Sequence, residues 1–140
     1  MIAFLLDTNT ISETQRKRPN PNVQAWFASL PPSRLYLSSF SVAEIEMGIQ
    51  MQPDEAKAER LRIWLEATIL PRFANRILAF DALAARTYGA WMGSGRKIGR
   101  IPPTTDAQIA AIAYVHGLTV ATRNTDDFAA LPVKLLNPWL

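Results

Sequence analysis

The sequence predicts an α/β sandwich built on a mainly parallel sheet. Two observations predict it. Short apolar runs of about five residues recur along the chain, separated by segments with helical spacing. Several acids then fall just beyond the ends of those runs, where open parallel sheets gather their ligands.

Residues 2–6 (IAFLL) read as a buried strand, because the apolar run is continuous rather than alternating. Residues 8–14 form a short helix. RKRPNPN, residues 16–22, is a basic loop punctuated by Pro19 and Pro21. Residues 22–30 read as a helix with Asn22 near its cap, stopped by Pro31-Pro32. A second strand spans 35–38 (LYLS). The helix that begins in SVAEIEMGIQ carries Val42, Ile45 and Ile49 at helical spacing. A longer helix runs from Asp54 to about Phe73 on a stripe of Leu61, Trp64, Leu65 and Ile69. Residues 76–80 give a third strand, and Asp81 caps a helix to about Met92. SGRKIGRIPP, residues 94–103, is a basic loop rich in glycine and proline. A helix follows from Thr104 to Gly117, then a fourth strand at 118–122, a turn or short helix at 125–130, and a last strand at 133–136.

The 140 residues fit a single domain, with 49% hydrophobic residues to build its core. The chain has no cysteine, which excludes disulfides, thiolate zinc sites and cysteine nucleophiles. Its one histidine, His116, excludes a multi-histidine centre and suits the C-terminal end of its helix. A metal would need oxygen ligands, which favours Mg²⁺ or Mn²⁺. No basic leader precedes the first apolar run, and no stretch approaches the ~20 apolar residues that span a bilayer, so a cytoplasmic protein is expected. A net charge of +3 is compatible with a nucleic-acid partner. The four tryptophans suit core or interface better than base stacking.

Asp7 follows the first strand directly. Glu44 lies just past the second, Asp106 in the first turn of the helix after the 94–103 loop, and Asn124, Asp126 and Asp127 just past the fourth strand. Each has an ordinary role open to it. Asp7 can cap the short helix; Ser41 and Glu44 match a capping box, as do Thr105 and Gln108; Asp126 and Asp127 can open a helix. Asp106 is less easily dismissed, since it shares a stripe with Ile109, Ala110 and Ala113. Taken together the ordinary roles weaken. Carboxylates ~4 Å apart repel by about 4 kcal/mol at an effective dielectric of 20, and a divalent cation reverses that sign. Metal-assisted phosphodiester hydrolysis is the chemistry such a cluster suits. Arg16, Lys17 and Arg18 after Asp7, Arg96, Lys97 and Arg100 before Asp106, and Arg123 beside Asn124 can steer a phosphate backbone toward it.

LLDTNTIS, LSSFSVAEIEMGI, TTDAQIAAIA, VATRNTDDF and the closing NPWL, in this order, resemble the PIN-domain ribonucleases, and most of all the VapC and FitB-type toxins of bacterial toxin–antitoxin pairs. The resemblance covers essentially the whole chain, residues 1–140. It implies a three-layer α/β/α fold with a five-stranded parallel sheet, and a Mg²⁺- or Mn²⁺-dependent endoribonuclease that acts on transfer or ribosomal RNA. It makes Asp7 and Asp106 the main metal ligands, with Glu44 completing the site or orienting a water. Thr8 and Asn9 support the first loop and, with Arg96, Lys97 and Arg123, lie along the RNA path. The fourth acidic position of the family falls on Asn124, a departure that leaves Asp127 or Asp126 to contribute. Implied partners are a second copy of the chain and a small VapB-like antitoxin. That antitoxin, rather than this chain, contacts operator DNA. The helices near 42–52 and 54–73 can line the antitoxin groove.

Two rivals stand beside this reading. Strand-then-aspartate also opens the haloacid dehalogenase-type phosphatases, but they place a second aspartate where this chain has Asn9. The other rival is a non-catalytic PIN-fold binding module acting as an antitoxin-bound repressor partner, a possibility kept open by Asn124.

Overall fold

The computed structural model describes residues 1–140. Its five strands are β1 (Phe4–Leu6), β2 (Leu35–Ser38), β3 (Ile77–Leu78), β4 (Thr119–Ala121) and β5 (Leu135–Leu136). All pair in parallel, in the order β3-β2-β1-β4-β5. Phe4 lies opposite Leu35 and Thr119, and Leu6 opposite Ala121. The chain leaves β1 toward β2 and β3, then returns to the other side of β1 for β4 and β5. The sheet therefore reverses its order between β1 and β4, which opens a crevice at their carboxyl ends.

The helices are α1 (Thr8–Glu13), α2 (Pro21–Ala28), α3 (Ser39–Met51), α4 (Glu55–Ile63), α5 (Leu70–Arg72), α6 (Ala82–Lys97), α7 (Thr104–His116) and α8 (Thr125–Phe128). The period-two alternation of strand side chains divides the core into two layers. Leu5 and Val120 face one side with Met92 of α6, Phe128, and Ile109, Ala110, Ile112 and Ala113 of α7. Phe4, Leu6, Leu35, Leu37 and Ala121 face the other, with Ile11, Ile45, Ile49, Leu65, Ile69 and Phe73. Helices thus cover both faces, as a parallel sheet requires, and the three-layer expectation holds.

The boundaries differ from the sequence expectation where local chemistry offers alternatives. Asn20, rather than Asn22, caps α2: its side-chain Oδ1 accepts from the N–H groups of Asn22 and Val23, with Pro21 in the first turn. The long helix expected to about Phe73 widens into a π-helical turn at Trp64–Ile69. Pro71 has no N–H to offer the carbonyl four residues back, so one rung of the α ladder is missing there, although the Phe73 N–H still donates to Ile69 O at 3.0 Å. The helix expected to end near Met92 continues to Lys97, shortening the basic loop. It stops where Gly99 takes a left-handed φ of 70°. Asp81 and Gly117 cap and end their helices as expected.

Glu13 is buried and folds the first basic loop back on α1. Its carboxylate accepts from the Asn20 N–H at 2.8 Å and from Arg16 at 3.2 Å. Burial pushes its pKa up, but these donors outweigh it and hold the group below its ordinary value.

Candidate active site

Asp7 sits at the sheet's switch point, only 7% exposed. Its N–H donates to Ala121 O at 2.9 Å, which ties the end of β1 to the end of β4. Thr10 Oγ1 donates to the same carbonyl at 2.8 Å. The Asp7 carboxylate is itself held at both oxygens. Oδ1 accepts from the Thr8 N–H at 2.9 Å, so Asp7 does cap α1, and Oδ2 accepts from Thr122 Oγ1 at 2.8 Å. Burial is the largest influence on its pKa and raises it. The two hydrogen bonds oppose that shift, and the charge of Asp127 adds to it.

Ser38 caps α3, its hydroxyl accepting from the Ser41 N–H at 3.2 Å. The Ser41–Glu44 capping box is therefore not formed, and Glu44 is released from that duty. Instead Thr8 Oγ1 lies 3.1 Å from Glu44 Oε1 and 2.9 Å from Ser41 Oγ, linking the start of α1 to α3. Glu44 is exposed overall, yet partial desolvation of its carboxylate, helped by the charge of Asp7 and opposed by Thr8, raises its pKa.

Asp106 stands half-buried in the first turn of α7. The Thr105–Gln108 capping box is absent too, because the helix begins at Thr104 behind Pro103. The Asp106 carboxyl is pushed up to about 6, first by burial, then by the charges of Asp7, Asp127 and Glu44. Four acids from four segments therefore share one electrostatic neighbourhood. No ion pair neutralises any of them: the chain's two salt bridges are Arg16–Glu13 and Arg62–Glu46.

Past β4, Asn124 is exposed and its side chain makes no cap bond. Its N–H donates to Thr122 Oγ1 at 3.0 Å, so one hydroxyl links Asn124 to Asp7. Asp126 and Asp127 both fall in the first turn of α8, and the charge of Asp127 helps raise the pKa of Asp7 and of Asp106. Both line a shallow hollow of about 250 Å³ with Arg100, Pro102 and Pro103.

Asn9 Oδ1 lies 3.1 Å from Thr10 Oγ1 and accepts from the Arg123 N–H at 3.4 Å, so its side chain braces the loop after β4. The Arg123 guanidinium lies 5.5 Å from the Trp139 ring centroid, a cation–π contact that fixes the C-terminal segment beside the site. Arg96 and Lys97 occupy the exposed last turn of α6 and make no ion pair. His116 ends α7, on the exposed side.

Thr122 is the residue that sequence reasoning missed. Its signal was a threonine closing the fourth apolar run, which acquires meaning only once β4 is paired beside β1.

The donor set suits a hard divalent cation. It offers carboxylate oxygens and no nitrogen or sulfur, and its mutual repulsion is what a cation would relieve. Each Asp7 oxygen keeps a free lone pair beyond its hydrogen bond. No three acidic or imidazole side chains meet tightly enough to grip an ion as they stand.

Comparison with known proteins agrees with this architecture. The chain is 44% identical over 136 residues to the toxin FitB of Neisseria gonorrhoeae, spanning 97% of this chain and 98% of the relative. A chain of the crystal structure of FitAcB from the same organism superposes with a TM-score of 0.90 at 43% identity, covering 97% of this chain and 98% of that one. The VapC ribonuclease Y4jK of Sinorhizobium fredii is 38% identical over 136 residues, 97% of either chain. A chain in the crystal structure of DNA-bound VapBC from Salmonella typhimurium matches with a TM-score of 0.83 at 27% identity, covering 99% of both. Residues 4–134 match the PIN domain, and with this sheet order and this edge of acids the chain belongs to the PIN-domain family.

Proposed function

We propose that the chain, folded over residues 1–140 as one PIN domain, is a metal-dependent endoribonuclease and the toxin half of a toxin–antitoxin pair. The observation that carries this reading is the group of four carboxylates at the β1–β4 switch point with no cation paired to any of them. Asp7, Glu44, Asp106 and Asp127 would hold Mg²⁺ or Mn²⁺, drawn together by the ion, and the ion would supply polarisation of a phosphodiester and a lowered pKa for a bound water. Thr122 and the Thr8 N–H fix the orientation of Asp7, and Thr8 Oγ1 positions Glu44. Asn124 borders the site with a neutral amide. Arg123, Arg96 and Lys97 receive the RNA backbone, and Thr8 and Asn9 keep its entry loop in shape.

The substrate class is transfer or ribosomal RNA, and the place of action is the cytoplasm. No helix is long and apolar enough to cross a membrane. The partners are a second copy of the chain and a small VapB-like antitoxin, through which alone the pair contacts operator DNA. The relatives support this: one is named a toxin, one a ribonuclease, and one solved complex is VapBC bound to DNA.

The non-catalytic alternative rested on Asn124. The influence of Asp127 on both Asp7 and Asp106 argues against it, because the site keeps four acids despite the amide. Growth of bacteria expressing the chain separates the two readings. Arrest relieved by a co-expressed antitoxin and absent with Asp7→Asn supports the nuclease; equal growth with either protein favours the binding module.

A further inference from the structure

A cleft of about 470 Å³ lies away from the acids, where the end of α1 meets the turn between α3 and α4. Four cations line it: Arg16, Lys17, Lys57 and Arg60. No acidic residue lines it. Arg16 is paired with Glu13 at 3.2 Å, but Lys17, Lys57 and Arg60 have no acidic partner within 4 Å. All three are exposed. The Glu46–Arg62 pair, by contrast, balances a neighbouring stretch of α3 and α4.

The cleft is joined to the active site through two helices. α1 begins at its cap Asp7 and is six residues long, so its far end lies about 9 Å away. α3 carries Glu44 in its second turn and ends beside Gln52 of the cleft, about 12 Å further on. At about 3.4 Å per stacked nucleotide, that distance is three to four nucleotides.

The lining chemistry selects among polyanions. Gln15 and Gln52 add amide donors to the cations, a set typical of phosphate contacts. Leu61 is the one apolar lining residue, so the cleft offers little to the apolar anchors of a docking peptide. It has no aromatic side chain on which a base could stack.

We infer that this cleft is a second RNA subsite, one that holds the phosphate backbone a few nucleotides from the scissile bond without reading sequence. The inference rests on the nuclease reading above and adds a fixed point for the strand on the flank of the acids. It also accounts for the uncompensated positive charge at the far ends of the two helices that lead away from Asp7 and Glu44.

The test is equilibrium binding of a single-stranded RNA in chelator, so that no cleavage intervenes, across a range of salt. Lys17→Gln, Lys57→Gln and Arg60→Gln are combined in one protein. Arg72→Gln, Arg86→Gln and Lys134→Gln, exposed cations elsewhere on the chain, are combined in a charge-matched control. Each lost phosphate contact lowers the slope of log K against log salt by ~0.7 on single strands, so the cleft variant should lose about 2 from its slope. The control should keep the wild-type slope. Equal slopes for the two triple variants would overturn the inference while leaving the nuclease reading intact. So would weakened antitoxin pairing with unchanged RNA binding, which would give the cleft to the partner protein. Absence of RNA binding by the wild type would instead count against the nuclease reading itself.

Discussion

Thr122 Oγ1 donates to Asp7 Oδ2 at 2.8 Å across 115 residues of sequence. The pair is buried, and it closes the junction of β1 and β4 from the side-chain side, as the Asp7 N–H to Ala121 O bond closes it from the backbone. The same hydroxyl accepts from the Asn124 N–H. One small side chain therefore aims the central carboxylate and anchors the loop that carries Asn124 and leads to Asp127.

Replacing Thr122 by valine keeps the shape and removes both hydrogen bonds. A buried carboxylate oxygen and a backbone N–H are left without partners, at a cost of about 1–3 kcal/mol. Supporting residues around a metal site typically contribute 10–100-fold to affinity or activity, and a fall in that range is expected here. Thr122→Ser should retain most of both. Denaturant unfolding and single-turnover cleavage measure the two effects.

Asp106 gives the site a pH signature. Its folded pKa of about 6 lies above the ordinary 3.8, so the folded chain binds that proton more tightly than the unfolded one. The stability it contributes is complete below pH ~3.8 and is lost as pH rises through about 6. The raised pKa values of Asp7 and Glu44 act in the same direction. Asp106→Asn should therefore melt at a higher temperature than wild type at pH 8 and at the same temperature near pH ~3, below the unfolded pKa. Paired melting curves at the two pH values check this.

Much of this site was legible in the sequence, because strand ends in a parallel sheet are legible. Asp7, Glu44, Asp106 and the 124–127 segment all fall at carboxyl ends or in the helical turns that follow them. The local choices were harder. SSFS offers three serines as caps, and spacing alone cannot show that β2 ends at Ser38, which moves the helix start back by a turn and frees Glu44. Asn20 and Asn22 flank Pro21 with equal claims until the preceding loop is folded by Glu13. Thr122 required the β1–β4 register, a long-range fact with no local trace.

Divalent cations should stabilise the fold through the acids. At a concentration one hundred times the dissociation constant the gain is about 2.7 kcal/mol, which raises Tm by roughly 5–10 °C for a chain of this size. Asp7→Asn should lose most of that gain. Thermal melts with Mg²⁺, Mn²⁺ and chelator read it directly.

Gly95 supplies a check on the fold rather than the chemistry. A Cβ placed there would run into the backbone carbonyl of Arg100, in a segment closed by the Arg100 N–H to Gly95 O bond at 2.8 Å. Backbone cannot move aside as a side chain can. Gly95→Ala should cost about 1–3 kcal/mol in denaturant unfolding.

Cleavage of a structured RNA pool by the antitoxin-free protein tests the central claim most directly. It is measured in Mg²⁺, in Mn²⁺ and in chelator, beside Asp7→Asn and Asp106→Asn proteins purified identically. Metal-dependent cutting that both substitutions abolish is the predicted result. Cutting that survives in both variants, or no cutting of any transfer or ribosomal RNA by the wild type, would contradict the account.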